Sequence, residues 1–193
     1  MNNENNNINN QNIQTEQLLR QLESTSKEFW NISFDTANFI NMLIKMTNKK
    51  NILEIGTSNG YSGIWIAKAL KETQGHLTTI EYYEKRIKLA KENFRKCNVD
   101  DIITIKQGSA IDVLNGLNQE FDCVFIDANK REYIDYYNIT DKLLKKNGII
   151  LADNIISHAE KVAPFVEAIK NNPKYQVQIL DLPAGLLLAY KLE

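Results

Sequence analysis

Several functional classes are marked by features that this sequence has little of. It holds two cysteines, Cys97 and Cys123, and two histidines, His76 and His158, in 193 residues. The cysteines lie far apart and belong to no CxxC or Cys/His cluster, which argues against a disulfide framework or a zinc site and leaves two reduced thiols. No apolar run approaches the ~20 residues that span a bilayer, and the N-terminus lacks a basic segment followed by an apolar one. The expected compartment is therefore the cytoplasm, with no membrane partner. Net charge is scarce too. Lys+Arg at 23 against Asp+Glu at 24 gives -1, so no global field draws the protein to nucleic acid or to an anionic surface. There is no internal repeat.

What is present suits one domain, since 193 residues with 43% hydrophobic content can build a substantial core. Residues 1–14 are dominated by Asn, Gln and Glu, which cannot bury enough apolar surface to offset the entropy of ordering, and a disordered tail is expected there. The single domain then covers 15–193. Leu18, Leu19, Leu22 and Phe29 recur at helical spacing, as do Phe34, Phe39, Ile40, Leu43, Ile44 and Met46. Both stretches predict leading helices that cover the core or a neighbouring subunit.

From residue 51 short β-rich runs alternate with longer segments of helical period. Strands are expected over 51–55, 77–80, 102–106, 123–126 and 149–152, and helices over 61–71, 84–96, 110–117 and 132–144. This rhythm predicts an α/β fold with a mostly parallel central sheet and helices on both faces. After a helix over 162–170, runs at 176–180 and 186–190 flank Pro183 and Gly185, a connection short enough for an antiparallel pair.

Ligands of open α/β sheets bind beyond the C-terminal strand ends. The first strand runs into Glu54-Ile55-Gly56-Thr57-Ser58-Asn59-Gly60-Tyr61-Ser62, where two glycines flank a turn into a helix whose N-terminal amides attract an anion. The spacing is GxxxG rather than the GxGxxG of dinucleotide enzymes. Glu81, just past the second strand, can accept hydrogen bonds from both ribose hydroxyls of a nucleoside cofactor, NAD included. Asp127 and the pair Asp153-Asn154 end two further apolar strands, so three oxygen-bearing side chains converge on one sheet edge. Two carboxylates and an amide carbonyl suit Mg2+ foremost, with Ca2+ and Mn2+ as alternatives, and suit Zn2+ poorly.

The ordered series EIGTSNGYS, TIEY, GSA (108–110), FIDANK and ILADN resembles the motifs of cation-dependent O-methyltransferases, which include the catechol and caffeoyl-coenzyme A enzymes. The resemblance runs from about residue 31 to residue 190. It implies a Rossmann-like methyltransferase fold and S-adenosylmethionine (SAM) as cofactor. By this likeness Ile32, Glu54, Gly56, Thr57 and Ser62 contact SAM, Glu81 binds its ribose, and Ala110 lies beside its adenine. Asp127, Asp153 and Asn154 would hold the cation, Asp127 bordering the cofactor as well, and Lys130 would be the base. The implied reaction is methyl transfer to the hydroxyl of a small phenolic or catechol-like acceptor, in a homodimer. A tRNA acceptor, a hydroxylated wobble uridine, is the second reading, and a noncatalytic nucleoside-binding module is the third. The chain departs from the family pattern at Ser109 and Asn129, both in place of Asp, and lacks a Gly-Asp pair near Gly185.

Overall fold

The structure, a computed structural model, describes residues 2–193, with side chains from Ile13 onward. It opens with helices α1 (Asn2–Ser24), α2 (Ser26–Phe29) and α3 (Phe34–Thr47). The tail expected over 1–14 falls, up to residue 12, on side chains outside the described ones; Ile13 and Gln14 are exposed. Thr15, Leu19 and Leu22 are buried anchors of α1. Ser33 starts α3 by accepting a hydrogen bond from the Thr36 amide at 3.1 Å, and Asn48 ends it in the left-handed region, the arrangement that satisfies backbone groups at helix termini. Ala37, Ile40 and Ile44 point inward, while Phe34, Met42 and Met46 stay exposed.

The alternating region follows as β1 (Asn51–Ile55), α4 (Tyr61–Thr73), β2 (His76–Glu81), α5 (Glu84–Lys96), β3 (Ile103–Gln107), α6 (Ala110–Asn115), β4 (Phe121–Ile126), α7 (Tyr133–Leu143), β5 (Leu144–Ala152) and α8 (Ala159–Asn171). Strands β6 (Tyr175–Leu180) and β7 (Leu186–Lys191) complete the sheet, whose order is β3-β2-β1-β4-β5-β7-β6. The first five strands are parallel, and β7 runs antiparallel between β5 and β6. The expected antiparallel pair is thus present, with its second strand inserted against β5.

Side chains alternate across the strands. Ile52, Leu77, Cys123, Phe125 and Leu151 pack with α3, α4 and α5 on one face. Leu53, Ile55, Val124, Ile126 and Ile150 pack with α6, α7 and α8 on the other. Both cysteines are free and buried. His76 begins β2 half-buried and bonds Thr104 at 2.9 Å. No helix among the described residues is long and apolar enough to cross a membrane.

From β1 the chain adds β2 and β3 on one side, then crosses back to add β4 and β5 on the other. The reversal lies between β1 and β4. Their register pairs Ile55 with Ile126, so the turn beginning at Gly56 and the turn beginning at Asp127 leave the sheet side by side, at the crevice where such folds receive ligands.

Candidate functional site

Gly56 occupies φ 109°, and a Cβ there would lie 2.1 Å from the Asp127 carbonyl oxygen. Only glycine lets the two turns approach so closely. The amides of Gly56 and Thr57 donate to the Ile80 carbonyl at 3.0 and 3.1 Å, tying the turn to β2. Gly60, at φ 88°, opens α4.

Behind the turn Glu54 is fully buried. Ser62 donates to its Oε1 at 2.5 Å and Thr79 to its Oε2 at 2.6 Å. Having spent its proton on Glu54, Thr79 accepts from Thr57 at 2.6 Å. Burial pushes the Glu54 carboxyl up to about 7 against the pull of these hydroxyls, with Asp127 and Glu81 adding repulsion. The partners of this buried charge are the hydroxyls of Ser62 and Thr79.

Glu81 is held without a cation. Its Oε2 accepts from the Ser58 amide at 2.9 Å, and its Oε1 accepts from the amides of Tyr82 and Tyr83, each at 2.9 Å. A carboxylate oxygen has two lone pairs, so the side chain is oriented and still able to accept from a ligand.

These groups border a cavity of about 490 Å3. Of the residues singled out from sequence, Ile32, Gly56, Thr57, Ser62, Glu81, Ala110, Asp127 and Lys130 lie on its wall, with Ser109 and Asn129. Glu54 stands one layer behind, in contact through Ser62. Asp153 and Asn154 also lie outside the wall, on the neighbouring strand end. The wall includes Phe29, Tyr82, Tyr83, Arg86 and Tyr136 as well, which sequence reasoning missed. Tyr82 and Tyr83 carried a usable signal, because they follow Glu81 directly at a strand end.

Asp127 and Asp153 are adjacent. Ile126 pairs with Ala152 across β4 and β5, and the Asp153 amide donates to the Ile126 carbonyl at 3.1 Å. Tyr133 braces this junction, its hydroxyl donating to the carbonyls of Ile126 and Asp153 at 3.3 and 3.2 Å. Asp127 Oδ1 accepts from Lys130 Nζ at 2.8 Å. Asp153 is 2% exposed, and its Oδ1 is buried without a hydrogen-bond partner. Burial raises both carboxyls; Lys130 pulls Asp127 back, whereas the charge of Asp127 pushes Asp153 further, to about 7. Asn154, at φ 65°, donates through Nδ2 to Ser157 Oγ at 3.2 Å, which leaves its carbonyl oxygen as the free end of the amide. His158 bonds the same Ser157 at 3.0 Å. Among the described residues no three His, Cys, Asp or Glu side chains gather in a way that could hold a metal ion; Asp127 and Asp153 are two carboxylates on adjacent strand ends, with Asn154 next in the chain.

The O-methyltransferase family profile matches residues 6–192. A catechol O-methyltransferase of Niastella koreensis is 38% identical over 129 residues, spanning 65% of this chain and 58% of that enzyme. The chain thus covers under two thirds of that relative. Caffeoyl-CoA O-methyltransferase 1 of Eucalyptus globulus is 33% identical over 180 residues, 89% of this chain and 73% of that one. The O-methyltransferase from Bacillus cereus, solved in complex with SAH, superposes with a TM-score of 0.82 at 26% identity, covering 92% of this chain and 90% of that one. The mostly parallel sheet of this chain, with its antiparallel strand pair, is the Rossmann-like methyltransferase architecture. On the length of the profile match, the motif series and the shared fold, the chain belongs to the O-methyltransferase family.

Proposed function

We infer that the chain is a SAM-dependent O-methyltransferase that requires a divalent cation and methylates a hydroxyl of a small phenolic or catechol-like acceptor. The observation that carries this reading is the buried, unpartnered Asp153 Oδ1 on the strand end next to Asp127, which itself lines the cavity bordered by Glu81 and the glycine turn. An orphaned buried carboxylate oxygen is costly unless something cationic meets it. The donors fit such an ion: Asp127, Asp153 and the Asn154 carbonyl are hard oxygens in the number Mg2+ takes while keeping places for water and substrate.

The cavity has the functional groups SAM needs. Glu81 presents a fixed carboxylate to ribose hydroxyls, Ala110 borders the adenine side, and Ser62 lines the turn in front of the Glu54 charge. SAM supplies an activated methyl, and a bound cation lowers the pKa of the acceptor hydroxyl. Lys130, on the cavity wall beside Asp127, would accept the proton of the acceptor hydroxyl as that oxygen takes the methyl group of SAM and the sulfonium leaves as a neutral thioether. Asp127 positions Lys130 through their hydrogen bond.

The test is transfer of labelled methyl from SAM to a catechol panel and, separately, to total RNA, with and without EDTA. Transfer to a catechol that is lost on chelation and restored by Mg2+ is expected. Undiminished transfer after exhaustive chelation would remove the cation from the reading, and transfer to RNA alone would replace the acceptor.

A further inference from the structure

Residues 29–32 form one wall of the cavity and are tied down at both ends. Ser58 Oγ, in the glycine turn, donates to the Phe29 carbonyl at 3.0 Å. Asn31 Nδ2 donates to the Leu22 carbonyl at 2.9 Å, and Ile32 is buried. Between these anchors Trp30 sits at φ 56° and is 74% exposed. What holds its ring is Arg86 of α5, whose guanidinium carbon lies 5.3 Å from the Trp30 ring centroid and 5.5 Å from that of Tyr83. Arg86 has no carboxylate partner among the described residues. Planar guanidinium stacks favourably on aromatic faces, more so than ammonium.

We propose that Arg86 is a positioning residue of the cofactor cavity: by stacking on Trp30 and Tyr83 it latches residues 29–32 over the glycine turn and so governs how fast cofactor enters and leaves. The proposal rests on the reading of the cavity as the SAM site. The backbone N–H of Trp30 donates to the Ser26 carbonyl, and that of Asn31 to the same oxygen at 3.2 Å, so it is the exposed ring of Trp30 that Arg86 holds, and this contact joins the segment to the β2–α5 side of the cavity, where Glu81 lies. The latch is made entirely of protein groups. Its loss therefore eases opening for entry and exit alike, whereas loss of a direct ligand contact would speed exit alone.

The experiment is stopped-flow binding of SAM and SAH to the full chain and to Arg86→Ala, Trp30→Ala, the double variant and Arg86→Lys. Association and dissociation should each quicken about threefold in either single alanine variant, the size of effect that loss of the one bridging Arg86–Trp30 contact supports, with Kd changed less than twofold. The double variant should match the singles, because both remove one latch. Arg86→Lys, which keeps charge without the planar stack, should fall between. Faster dissociation with unchanged association, hence weaker Kd, overturns the latch and makes Arg86 a ligand contact. Unchanged rates overturn it outright, and Trp30→Ala, at an exposed position, keeps that test available if Arg86→Ala folds poorly. Failure of the unaltered chain to bind either molecule removes the cofactor reading itself; normal binding with unaffected variants removes only the latch.

Discussion

Glu54 is the single residue where burial most directly sets chemistry. Its carboxyl titrates near 7 because burial outweighs the two hydroxyl donors. A sulfonium cofactor with an amino-acid end brings positive charge to the turn in front of it, and only the ionised form of Glu54 attracts that charge. Cofactor affinity should therefore fall as pH drops through about 7. Between pH 7.5 and 6 the SAM Kd, measured calorimetrically, should rise about eightfold, the factor by which the ionised fraction of a single group of that pKa falls. Glu54→Gln should bind weakly at both pH values and flatten the profile. A profile of the same slope in the glutamine variant would assign the titration elsewhere.

At the scale of elements, the site is made where two strand-to-helix turns touch. Gly56 meets the backbone of Asp127, and Gly60 meets the ring of Phe94, the would-be Cβ lying 2.1 Å from a carbonyl oxygen in the first case and 2.6 Å from a ring carbon in the second. A carbonyl fixed at the end of β4 cannot yield without moving Asp127, while a ring edge can rotate away. Gly56→Ala should thus be far more damaging than Gly60→Ala, on the order of 3 kcal/mol or more against about 1–2 kcal/mol, since both also carry left-handed strain. Urea unfolding would measure the difference, and equal losses would mean that the contact between turns does not constrain the site.

The same junction explains what could be read from sequence. The strands and helices were legible because hydrophobic periodicity changes sharply at Gly56, Glu81, Asp127 and Asp153, and the strand-end rule then pointed to those residues. The start of β5 was not, because Lys145, Lys146 and Asn147 are polar and project from the strand. Nor was Arg86, whose meaning lies in Trp30 and Tyr83 coming together from separate elements, a juxtaposition that no local pattern encodes.

For the whole molecule, the sheet imposes a conflict between stability and function at the ends of β4 and β5. Parallel pairing delivers Asp127 and Asp153 to adjacent positions, and burial with mutual repulsion raises both carboxyls. A raised carboxyl binds its proton more tightly in the folded state, so its ionisation destabilises the fold. The cost is absent below about 4 and grows as pH rises towards 7. At pH 8 in EDTA, Asp153→Asn should therefore melt higher than the unaltered chain by about 5 °C, an effect on the order of 2 kcal/mol in a chain of this size. Saturating Mg2+ should raise the unaltered chain by a similar or larger amount through linkage and leave the variant unmoved, while the variant loses methyl transfer. Differential scanning calorimetry in four conditions, each protein with chelator and with Mg2+, separates the terms. If the asparagine variant melts below the chelated unaltered chain, the two acids are not in conflict. If Mg2+ leaves the unaltered chain where EDTA does, the acids hold no ion, and Asp153 Oδ1 is buried for a reason other than the proposed chemistry.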